Sequence, residues 1–198
     1  MRHGLSLILS AALIAVLAAD ASAQERSGGW FGVGGGWGSA NLACDECGGD
    51  SERQSSGVIY FNGGYTVNER LLAGAEFNLW TKTFEDPEFG TADVNFYNLL
   101  GTVTAYPAAG RFFIKGGAGV GFFGMDLKME GVSASLDMGK GLAVIVGGGY
   151  DIPLGRLAIT PAFNYWYGST GDMKFLGEPL LTNVSHNTIT ATVGVKWP

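Results

Sequence analysis

Apolar and polar residues alternate one for one along most of this chain, and the alternation is clearest at its end. Ile189, Ala191, Val193, Val195 and Trp197 fall on one face of a strand, and Thr188, Thr190, Thr192, Gly194 and Lys196 fall on the other. A period of two is the signature of a β-strand whose two faces meet different surroundings. Leu157, Ile159, Phe163, Tyr165 and Tyr167 alternate in the same way with Ala158, Thr160, Ala162, Asn164 and Trp166, with Pro161 as a blemish because it cannot donate to a ladder. The pattern returns in Leu142, Val144, Val146, Tyr150 and Ile152 and in Phe112, Ile114, Ala118, Val120 and Phe122. Earlier still, Tyr97, Leu99, Val103 and Ala105 oppose Asn98, Thr102 and Thr104, and Leu71, Ala73, Ala75, Phe77 and Leu79 oppose Gly74, Glu76, Asn78, Trp80 and Lys82. Two Gly-rich runs, 30–39 and 57–67, complete a set of eight. The runs are about 10–14 residues long, which suits a tilted membrane-crossing strand of roughly 9–11 residues.

The connections between runs also alternate. Short turns at 67–70, 107–110 and 153–156 carry Asn, Pro and Gly. Between them come longer stretches at about 41–56, 84–92, 126–139 and 169–185. Short turns on one side and long loops on the other are the habit of membrane barrels, with the short turns in the periplasm. The expected fold is therefore all-β, an eight-stranded antiparallel up-and-down transmembrane β-barrel.

The N-terminus reads differently. Arg2 and His3 precede an uncharged, mostly aliphatic run at 4–19, and Ala21-Ser22-Ala23 has the A-x-A form of a cleavage site. That run is shorter than the roughly 20 residues of a spanning helix, so residues 1–23 read as a cleaved secretory signal peptide and residues 24–198 as the barrel domain. Composition agrees with a barrel: the chain has 33 glycines, and many of them lie inside apolar runs, where backbones bend or approach closely.

Charge follows the loops. Counting Asp93 and Lys140 at their edges, the four long connections hold thirteen acids and four bases, within a net charge of −6. An acidic face disfavours nucleic acid, which needs basic patches.

Few residues suggest chemistry. Cys44-Asp45-Glu46-Cys47 sits in the first long connection. In an exported chain a local Cys44–Cys47 disulfide is the plainest reading, beside a metal site, for which His186 is the one further N or S ligand available, and a redox pair, which ordinarily lies near a βαβ unit. Ser185 and His186 are adjacent, and adjacent strand residues point to opposite faces, which argues against a nucleophile–base pair. Gly119-Val120-Gly121-Phe122-Phe123-Gly124 spells G-x-G-x-x-G, but it lies inside an alternating run rather than between a strand and a helix. No catalytic residue, metal site or cofactor is expected. Tyr60, Tyr65, Trp80, Tyr97, Tyr150, Trp166, Tyr167 and Trp197 lie towards run ends or on run faces, and those near the ends are candidates for interfacial girdles. The inward faces carry Trp80, Phe96, Phe113, Phe123 and Trp166 together with Glu76 and Lys115. An eight-stranded interior is just wide enough for side chains to fill, so a plugged lumen is expected, with Glu76 and Lys115 as an ion pair across it.

The signal peptide, the eight alternating runs, the Gly-rich strands and the terminal strand at 188–197 together resemble the small outer-membrane barrel family, which includes the transmembrane domain of outer-membrane protein A and the opacity-type porin-like proteins. The resemblance covers nearly all of residues 28–198 and rests on pattern. It implies insertion as a monomer or loose oligomer in outer-membrane lipid and lipopolysaccharide, with help from the barrel assembly machinery. Such proteins end in an aromatic residue; here Trp197 is followed by Pro198. The family includes structural proteins, adhesins, small-solute pores and a few lipid-modifying enzymes such as the lipid A deacylases. The expected role is non-enzymatic, structural or surface-interacting, with a small-solute channel and a lipid-modifying enzyme as alternatives.

Overall fold

The computed structural model describes residues 27–45, 52–86, 90–107, 110–129, 132–175 and 178–198. They form nine strand segments: β1 Gly29–Ala43, β2 Gln54–Asn68, β3 Leu71–Asp86, β4 Gly90–Ala105, β5 Phe112–Met129, β6 Val132–Tyr150, β7 Ile152–Leu154, β8 Leu157–Phe175 and β9 Glu178–Trp197. Each segment runs antiparallel to its neighbours, and β9 pairs with β1, so the sheet closes. Segments β6 and β7 both pair with β8 and form one stave interrupted at Asp151. The result is an eight-stranded antiparallel barrel.

The barrel is sheared. Following paired residues from Phe31 through Gly63, Ala75, Gly101, Ala118, Val144, Tyr167 and Asn187 returns to β1 at Asn41, ten residues further on. Tilted strands and a narrow interior follow from this stagger.

The interruption at Asp151 has a local cause. Pro161 on β8 lies opposite the end of β6 and has no N–H to give. The ladder with β8 lapses there, while on the β5 side the Asp151 N–H donates to the Arg111 carbonyl at 2.9 Å, next to the Phe112–Tyr150 pair.

Alternation sorts the side chains as the sequence indicates. Phe31, Trp37, Phe61, Leu99, Val103, Phe112, Leu142, Val146, Phe163 and Val193 are exposed on the outer wall. An apolar wall on a closed barrel is a lipid-facing surface, since closure leaves the sheet no unpaired edge strand. Trp80, Phe96, Phe113, Phe123 and Trp166 are all buried inside.

The long connections differ from the sequence reading. The stretches at 84–92, 126–139 and 169–185 are mostly strand: β3 continues to Asp86, β4 starts at Gly90, β5 continues to Met129, β6 starts at Val132, β8 continues to Phe175 and β9 starts at Glu178. Their apolar–polar alternation fades because neither face meets lipid beyond the membrane, while backbone pairing continues without it. Strands of 15 to 20 residues therefore project outward past the roughly 9–11 that cross the bilayer.

Candidate functional site

The lumen has two parts, and each is built by the inward alternation of several strands. Towards the long hairpins lies a plug of rings. Phe96 on β4 stacks on Trp80 of β3 at 5.2 Å between ring centres, meets Phe123 of β5 at 5.1 Å and stacks on His186 of β9 at 4.2 Å. Leu100, Ile145, Trp166 and Val184 pack around them. The Trp80 indole N–H donates to the Gly38 carbonyl. Gly168 makes room for the imidazole, since a Cβ there would strike His186 Nε2.

His186 sits three residues outward of the lipid-facing run at 189–197, with 2% of its surface exposed and neither ring nitrogen bonded. Burial alone holds the imidazole neutral, pushing its pKa down from 6.5 to about 4.

Towards the short turns the lumen is ionic. Lys115 Nζ of β5 lies 2.7 Å from Glu76 Oε2 of β3, and Glu76 is 1% exposed. Asn62 and Asn78 also donate to the Glu76 carboxylate, and Asn98 donates to Asn78 at 2.8 Å. The structure thus brings together the two charges singled out by sequence.

Sequence reasoning missed a second pair. Lys196 Nζ of β9 reaches Asp151 Oδ2 at 2.8 Å. Tyr106 and Thr160 donate their hydroxyls to the same carboxylate at 2.7 and 2.9 Å, and Lys196 also donates to Tyr106. Lys196 already falls on the polar face of the last run, and parity places Asp151 inward as well. Asp151 lies between outward Tyr150 and Ile152, and Lys196 between Val195 and Trp197.

Three aromatics considered for the girdles belong inside: Trp80 and Trp166 are in the plug, and Tyr60 is buried below it, over Gly34 and Gly194 where a Cβ would strike its ring. Tyr65 and Tyr167 do face outward, and Trp197 stacks on Phe31 at 4.7 Å.

The remaining motifs fall where their chemistry lapses. His186 points into the plug, while Ser185, the next residue, faces the other way and pairs with Ala43 and Ser169. The glycines at 119, 121 and 124 lie within β5, where a Cβ on Gly119 would strike the Leu99 carbonyl oxygen. Cys44 is disulfide-bonded; Cys47 lies outside the described residues. Beside it, Asp45 accepts hydrogen bonds from Asn183 at 2.6 Å and Thr182 at 3.3 Å. Arg53 donates to Asn187 and Ser39 on the same rim.

A closed barrel with an apolar outer wall, a polar and ion-paired interior and outward-projecting hairpins defines a transmembrane barrel of the outer-membrane type. The outer membrane protein beta-barrel domain family matches residues 9–196. The chain belongs to this family, whose members are outer-membrane proteins. Similar solved structures include Ail, the attachment invasion locus protein of Yersinia pestis, at 15% identity and TM-score 0.58, covering 86% of this chain and 99% of Ail. Neisserial surface protein A is similar at 14% identity and TM-score 0.57, covering 88% of this chain and 99% of that one. Among curated protein sequences none matches this chain.

Proposed function

We propose that this protein is a non-enzymatic outer-membrane barrel, exported by its N-terminal signal peptide, that acts at the cell surface through its acidic outer hairpins and does not conduct solutes. The observation that carries the reading is the filled lumen: Trp80, Phe96, Leu100 and Trp166 are each at most 2% exposed. A polar solute entering the barrel meets stacked rings, and displacing them costs their packing. The working surface is then the projecting outer end. Planar-bilayer recording of the refolded protein tests this reading. Weak or absent current supports it, and large, stable single-channel currents would replace it with the small-solute pore.

The outer end also has a chemical character. With thirteen acids against four bases in its connections, it repels polyanions. Ail has been solved in complex with the heparin analogue sucrose octasulfate; this chain is expected not to bind that molecule, and its partners are expected to be cationic or cation-bridged. The opposed directions of Ser185 and His186 support the non-enzymatic reading. Altered lipid A in a deletion strain would favour the lipid-modifying alternative instead. Protease added to intact cells should cut the outer hairpins and spare residues 67–70.

A further inference from the structure

We propose that Arg53 holds the phosphate of an outer-leaflet lipid against the outside of the barrel, across the seam where β1 meets β9. Alternation sets the level of the site. Ser39 and Asn41 share a face of β1 with exposed Trp37, and Asn187 shares a face of β9 with exposed Ile189. The register puts Ser39 beside Ile189, Asn41 beside Asn187, and Asn187 beside Tyr167. The apolar wall thus gives way to hydroxyls and amides within one step of the alternation. That is the depth at which the apolar band of a membrane barrel ends and lipid headgroups begin.

Arg53 is laid across this boundary. It precedes β2, and its guanidinium reaches over β1 to β9: Nε donates to Ser39 Oγ, Nη2 to the Ser39 carbonyl and Nη1 to Asn187 Oδ1. All three acceptors are neutral, and among the described residues no carboxylate pairs with this cation. Connections with thirteen acids against four bases thus hold a guanidinium fixed in place without a counter-charge. Three of its five N–H donors are used there, and two remain on an exposed side chain.

A planar fork with donors to spare and an unmet positive charge selects an anion with several oxygens, and phosphate fits that geometry. The surroundings select its carrier. A soluble anion must approach past the acidic hairpins, which repel it. A lipid phosphate arrives along the wall at the level of Arg53, with its chains on Trp37 and Ile189 and its polar groups beside Asn41. Binding meets the charge and fastens the contact of β2, β1 and β9 at its outer end. The site rests on the lipid-facing wall and not on the filled lumen, so a conducting barrel would keep it.

Titration of the refolded, ¹⁵N-labelled protein in maltoside micelles, which carry no phosphate, tests the proposal. Lipid A with both phosphates is expected to shift the Arg53 Nε–H signal to saturation. Lipid A stripped of its phosphates, and inorganic phosphate at the same concentration, should leave the signal in place. Arg53→Ala should keep folded gel mobility and weaken binding of the phosphorylated lipid by about tenfold or more, as expected for a lost charge-assisted pair. Arg53→Gln removes the same charge should Arg53→Ala fail to fold. Lys140→Ala removes another exposed cation of the wall, paired in register with Phe122, and should leave binding nearly unchanged. An unmoved signal with phosphorylated lipid A, or an equal shift with inorganic phosphate or the stripped lipid, would overturn the proposal. So would undiminished binding in a folded Arg53 variant, or an equal loss in Lys140→Ala, which would mean diffuse attraction rather than a site.

Discussion

The two halves of the lumen close the same barrel by opposite means. The outer half excludes water with rings: Phe96 touches Trp80, Phe123 and His186, and the cluster is almost wholly apolar. The inner half is filled with charge and then neutralises it, Glu76 by Lys115 and Asp151 by Lys196. Packed rings lose stability in proportion to the space vacated. Buried ion pairs lose it when one partner is removed and the other is stranded, while joint removal is close to neutral. Damage to the plug should therefore be graded by volume, and damage to the inner half by charge left over.

The sharpest test of that contrast is a pair of inner-half variants. Lys115→Met strands the Glu76 carboxylate at 1% exposure and should cost about 3–5 kcal/mol in urea unfolding of the refolded protein. Glu76→Gln combined with Lys115→Met leaves no charge and should cost markedly less than Lys115→Met alone. Equal losses in the two variants would mean that the pair acts through packing, and the contrast between the halves would vanish.

Next comes the plug. Phe96→Ala removes the ring at the centre of the stack and should cost about 3–4 kcal/mol through the cavity it leaves. No companion substitution at a charged site should rescue it. The same variant should pass more current in planar bilayers than the unmodified barrel, because the rings on either side lose their shared partner. Unchanged conductance would show that the barrier lies elsewhere along the lumen.

His186 lets acid act on the plug. Its folded pKa of about 4 lies below the ordinary 6.5, so the unfolded chain binds a proton more readily between those values. The stability held by the neutral ring is complete above about pH 6.5 and is lost as pH falls towards 4, on the order of 3 kcal/mol in all. The groups packed around it offer no counter-charge: Phe96, Gly168, Leu42, Trp166 and Val184 are uncharged. The measurement is a difference between two variants, so that contributions of other groups cancel. His186→Phe should keep the stack and flatten the pH dependence of urea unfolding between 6.5 and 4 relative to the unmodified protein.

The sequence showed the wall better than the ends. Alternation is legible wherever one face meets lipid and the other a polar lumen, and it assigned Trp80, Phe96, Phe113, Phe123 and Trp166 inward, where all five are buried. It also carried the inward positions of Glu76 and Lys115, although only the shear of ten residues determines that β3 and β5 bring them level. Asp151 and Lys196 share the inward parity, but their partnership depends on the closure that sets the end of β6 near β9 across β8, which residue type does not mark. The outer hairpins could not be bounded: past the membrane both faces of a strand see water, polar residues occupy both, and the backbone ladder that persists to Asp86 and Phe175 leaves no mark on residue type. The wall glycines were legible as close packing, but not their partners. That Gly168 shelters His186, and that Gly34 and Gly194 receive Tyr60, depends on which strands the closed sheet places side by side.

The smallest expected effect separates burial from mere bonding. On the outer rim Arg53 donates to Ser39 and Asn187, joining β1, the start of β2 and β9. By count these bonds rival those that Asp151 receives in the inner lumen from Tyr106, Thr160 and Lys196. Their surroundings differ. Arg53 is exposed, so water replaces its partners when it is removed, and the long side chain recovers its freedom. Arg53→Ala should change stability by no more than about 0.5 kcal/mol. Asp151→Ala removes the shared acceptor at 3% exposure and leaves a lysine and two hydroxyls to find other partners in a confined space, so it should cost several times more. Urea unfolding of the two variants side by side decides the matter. A loss for Arg53→Ala that matches Asp151→Ala would show that the rim contacts hold the barrel as firmly as its filled interior does.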